Sequence, residues 1–103
     1  MRTSLDELTW HAMDAMADDW ESLEQIVLHV EHFLGATDKA RIAKLLVVLV
    51  SEGLLREMER ITYQQLTADM VLETPIEYWF AMTPQGRALW DSEGPKYRND
   101  NAR

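Results

Sequence analysis

The chain has 103 residues, 47% of them hydrophobic, which fits one domain with one core and excludes an intrinsically disordered protein. Its net charge of −8 opposes indiscriminate nucleic-acid binding, because that affinity comes from neutralising phosphates. The absence of cysteine excludes a disulfide framework and a thiolate metal site.

The charge is unevenly placed. Residues 1–36 hold one base, Arg2, against eight acids, whereas residues 37–66 hold five bases (Lys39, Arg41, Lys44, Arg56 and Arg60) against four acids. The middle of the chain is thus slightly basic within an acidic protein. The longest apolar run, Leu45 to Val50, falls far short of the roughly 20 residues that span a bilayer. Acids stand at Asp6 and Glu7, where a signal peptide needs an apolar core, so a cytoplasmic location without membrane contact is expected.

Leu5, Leu8, Ala12, Ala15 and Met16 recur at helical spacing, and Ser4 with Glu7 reads as a capping box. The first helix is therefore expected over about 4–17. Ser22 reads as the N-cap of a second helix with the stripe Leu23, Ile26, Val27, Val30 and Leu34, stopped by Gly35. A third helix follows Thr37, with Ile42, Leu45, Leu46, Leu49 and Val50 on one face and Gly53 at its end. The run Leu45–Val50 alone would also suit a buried strand, but its polar flanks favour helix.

Leu54 to about Thr62 is then expected to be a strand, and residues 63–75 a loop or long hairpin arm. Ile76, Tyr78, Phe80 and Met82 alternate with Glu77, Trp79 and Ala81, the clearest strand pattern in the chain. Thr83-Pro84 is an N-cap followed by proline at the first helical position, and opens a short last helix carrying Ala88, Leu89 and Trp90. The domain is expected to span 1–92, with 93–103 a disordered polar tail.

Two stretches carry a resemblance. Ile42, Leu46, Leu49 and Gly53, followed by Leu54-Leu55, resemble the recognition helix and strand start of winged-helix transcription regulators. Phe80-Ala81-Met82-Thr83-Pro84-Gln85-Gly86 is similar to the run that closes the wing and opens the last helix in such proteins. The resemblance implies an α+β winged helix-turn-helix fold of three helices, a two-stranded hairpin wing and a short C-terminal helix. It implies double-stranded DNA as partner and the third helix as the reading element. Departures are a long second helix and the acids Asp69, Glu73 and Glu77, where a wing that tracks DNA carries bases.

The candidate DNA contacts are Thr37, Lys39, Arg41 and Lys44 around the start of the third helix, with Arg60 beyond it. The alternative is an acidic winged-helix module that docks a protein partner and binds no DNA. Trp10, Met13 and Ala17 form a second apolar stripe on the first helix; with Trp90 they are expected to make a homodimer seam. His29 and His32 are three residues apart, with His11 elsewhere, and two ligands are too few, so no metal or other cofactor is expected. No nucleophile motif or glycine-rich phosphate loop is present, and no enzymatic activity is expected.

Overall fold

A computed structural model of the chain describes residues 2–58 and 65–98. The order is α1 (Glu7–Asp14), β1 (Glu21–Ser22), α2 (Leu23–Leu34), α3 (Lys39–Ser51), β2 (Leu55–Glu57), α4 (Ala68–Glu73), β3 (Trp79–Met82) and α5 (Pro84–Tyr97). The protein is an α+β domain whose helices surround one small antiparallel sheet of order β1-β3-β2. Glu21 lies opposite Phe80 in β3, and Leu55 lies opposite Met82 on its other side. The core joins Ile42, Leu46 and Leu49 of α3 to Leu23 and Ile26 of α2 and to Phe80 and Met82 of β3, all buried.

Helix α1 starts later than Ser4. Asp6 is the cap, its carboxylate accepting from Thr9 N at 2.8 Å, and hydrogen bonding from the Thr9 side chain, then from its backbone N–H, holds the Asp6 carboxyl below its ordinary pKa. The chain before it is committed elsewhere, since Leu5 donates its N–H to Glu93 and accepts from the Tyr97 hydroxyl. Ser22 does cap α2 with extended backbone, but its side chain makes no capping bond. The exposed N–H of Glu24 instead meets the Pro75 carbonyl at 3.3 Å. Asp38, not Thr37, caps α3, accepting from Ala40 N at 2.9 Å. Gly35 and Gly53 end α2 and α3 with φ of 85° and 78°, a conformation that a Cβ opposes.

Three expectations need correction. The connection between β2 and β3 is not a plain hairpin, because residues 68–73 form α4, which packs against α3. Thr67 caps it, while Leu66 before the cap and Val71 within the helix are both buried, the arrangement of a hydrophobic staple. The sheet has a third strand, β1, too short to leave a pattern. The clear alternation from Ile76 yields strand only from Trp79, because residues 74–77 close a turn in which Glu77 N meets Thr74 O at 3.0 Å.

Helix α5 also runs further than expected, through Glu93 and Gly94, both buried, to Tyr97. Glu93 and Tyr97 hold the two backbone groups of Leu5, which is why this polar stretch is ordered. Arg60 lies outside the described residues, as do 99–103.

Candidate nucleic-acid interface

The turn 35–38 sets α3 against α2, and the Asp38 cap fixes where the first residues of α3 point. Ile42, Ala43, Leu46 and Leu49 are buried, so Lys39, Arg41 and Lys44 are turned to solvent by the same periodicity. Among the described residues none of these three cations forms an ion pair. Arg41 exerts a weak electrostatic pull on Asp6. Thr37 is half-buried just before the cap.

Further along, the exposed strip of α3 narrows. Val47 and Val50 are half-buried beside Gln65 and Leu66, around a depression of about 240 Å³. The segment leading into α4 thus accounts for Val47, an apolar residue on a face expected to be wet. Val48 stays 42% exposed. Glu52 is paired with Arg2 at 2.8 Å. Arg56 on β2 lies over the Trp20 ring at 4.9 Å. The acids Asp69 and Glu73 on α4 and Glu77 after it are exposed. On α3 the unpaired positive charge therefore sits in the first half, and the α4 side is acidic.

The residues expected at a dimer seam meet a different partner. Trp10 is 2% exposed and Met13 fully buried within the single chain, because α5 lies across α1. The Trp10 and Trp90 rings stack 6.0 Å apart, and Trp10 Nε1 donates to Trp90 O at 2.9 Å. Ala17 is half-buried, and its carbonyl accepts from Arg87. The second apolar stripe of α1 is thus accounted for inside one chain.

The histidines also group differently from their order in sequence. His29 of α2 faces Asp14 of α1, with Nε2 3.1 Å from Oδ2, and His11 lies beside both. His32 is exposed and touches Phe33 edge-on. Burial lowers the pKa of His11, more than the charges of Asp14 and Glu7 raise it. Sequence reasoning paired His29 with His32 because both lie on one helix; the closer partners come from another helix, which no spacing reveals.

No protein-family model, no curated protein and no solved structure matches this chain.

Proposed function

We propose that this chain is a winged-helix domain that binds double-stranded DNA through α3 and works as a transcription regulator. The carrying observation is the cluster of unpaired cations Lys39, Arg41 and Lys44 on the exposed first half of α3. In helix-turn-helix proteins the N-terminal residues of the second helix reach the base edges. The order α1-β1-α2-α3-β2-α4-β3-α5, with β3 central in the sheet, supports the same reading. Helix α4 stands in the connection where a wing is expected, and its acids turn away any duplex that approaches from that side.

Three phosphate contacts imply a slope of log affinity against log salt of about −2.7, and the Arg41→Ala/Lys44→Ala variant should lose about 1.8 of it. The assay is fluorescence anisotropy with pooled genomic duplexes across a salt series. The proposal fails if the wild type retains no duplex at low ionic strength, or if the double variant binds like wild type. A second reading, docking of a protein partner, rests on the exposed apolar side chains Val48, Leu28 and Ile76. It predicts no duplex binding and a partner lost on Val48→Asp.

A further inference from the structure

His11 and Asp14 are one helical turn apart on α1 and project to the same side. His29 reaches them from the middle of α2. One ring nitrogen of each histidine and a carboxylate oxygen of Asp14 all lie within 4.8 Å of one another. Asp14 is already oriented: its Oδ1 accepts from Trp90 Nε1 at 3.2 Å, while Oδ2 faces His29. Phe33 lies over the group, its ring stacked on His11 at 5.0 Å and 4.9 Å from that of His29.

A hydrogen-bonded His29–Asp14 pair explains two of the three groups. It does not explain His11, which is 5% exposed and whose Nδ1 is wholly buried with no hydrogen-bond partner. A buried polar atom left unpaired is costly, so such atoms call for an explanation.

We propose that His11, Asp14 and His29 bind a divalent transition-metal ion, with zinc the ion that fits best. Two imidazoles and one carboxylate suit an ion of borderline softness. Calcium and magnesium take oxygen-rich shells, and copper(I) favours sulfur ligands. Zinc ligands at about 2.0–2.1 Å lie roughly 3.4 Å apart in a tetrahedron. The His29–Asp14 separation of 3.1 Å is close to that, and a His11 ring nitrogen stands within 4.8 Å of both. Three protein ligands leave the fourth position to water. His11 also lines an open cleft of about 400 Å³ with Glu7, Phe33, Lys96 and Arg98. The Trp90 indole acts as the outer partner that aims the carboxylate.

The test is calorimetric titration of zinc, with magnesium in parallel, into the untagged full chain, followed by cobalt(II) absorption as a probe of coordination. Wild type should take one equivalent of zinc and none of magnesium at the same concentrations. His29→Gln and Asp14→Asn should weaken zinc by more than the roughly 10–100-fold typical of losing an outer-shell partner. Both residues are half-buried, so circular dichroism should show both variants folded. Trp90→Phe should weaken zinc roughly 10-fold, and His32→Gln should change nothing. The site is refuted if wild type binds no stoichiometric zinc, if the Asp14 and His29 variants bind as wild type does, or if His32→Gln loses as much as they do. None of these readouts depends on DNA.

Discussion

Gly86 is the third residue of α5, and helix propensity alone predicts that Gly86→Ala stabilises the protein by up to about 1 kcal/mol. The packing predicts the opposite. A Cβ on Gly86 would overlap the Leu54 carbonyl oxygen and lie 2.8 Å from its carbon. That carbonyl cannot easily retreat, because Leu54 O accepts from Thr83 N at 3.1 Å and Leu54 N donates to Leu49 O at 3.0 Å. Overpacking against fixed neighbours costs about 1–3 kcal/mol. With rigid backbone as the obstacle the upper end applies, so the net loss should be about 2 kcal/mol. For a domain of this size that lowers Tm by roughly 8–16 °C. Urea and thermal unfolding followed by tryptophan fluorescence measure both quantities. Gln85→Ala, one residue earlier and exposed, is the control and should stay within about 0.5 kcal/mol. A Gly86→Ala protein as stable as wild type would show that α5 does not dock on Leu54 as described.

Thr83 has two duties: its hydroxyl accepts from Gly86 N at 2.9 Å and donates to Gly53 O at 2.6 Å. Thr83→Val should therefore cost about 1–2 kcal/mol in urea unfolding, and Thr83→Ser should recover most of it. Glu93 is held below its ordinary pKa, chiefly by the Leu5 N–H and then by Lys96. A depressed carboxylate stabilises the fold above its unfolded pKa and loses that contribution as pH falls through its folded one. The stability gap between wild type and Glu93→Gln should thus be full above about pH 5 and shrink below about pH 4. A gap that stays constant down to pH 3 would contradict the assigned partners.

The parts of the fold that could be read from sequence are those where local chemistry and tertiary packing agree. Leu23, Ile26, Ile42, Leu46 and Leu49 announce two helices by period, and the Thr83-Pro84 start of α5 carries its own cap. The two stretches that carried the resemblance meet in space: Gly53 and Leu54 receive Thr83 and Gly86. Gly53 is needed for its own left-handed turn, but Gly86 is explained only by the approach of Leu54. What escaped notice depends on distant partners. Strand β1 exists because Phe80 and Trp79 lie beside Glu21 and Ser22. Helix α4 is too short for periodicity, although Leu66, Thr67 and Val71 spell a staple and a cap. The cationic start of α3 was legible because exposure there follows from the burial of its opposite face. The His11–Asp14–His29 grouping was not, because it joins two helices.

The aromatic seam between α1 and α5 shows how one apolar stripe admits two explanations that a measurement separates. In sequence, Trp10 and Met13 beside a complete core stripe suggest a second copy of the chain. In the structure α5 supplies the cover: Trp90 stacks on Trp10, Tyr97 stands 5.9 Å from the same ring, and the Arg98 guanidinium lies 4.8 Å from Trp90. If the cover is intramolecular, removing it must weaken folding in a way that does not depend on concentration. Trp90→Ala should cost about 2–4 kcal/mol, below the full range for a buried tryptophan because Trp90 is only half-buried. Its Tm should be the same at low and high micromolar protein, as should that of wild type. A seam between two copies predicts something else, because binding to the folded state alone makes Tm rise with concentration. A wild-type Tm that climbs with concentration, and stops climbing in Trp90→Ala, would assign these residues to an interface between chains.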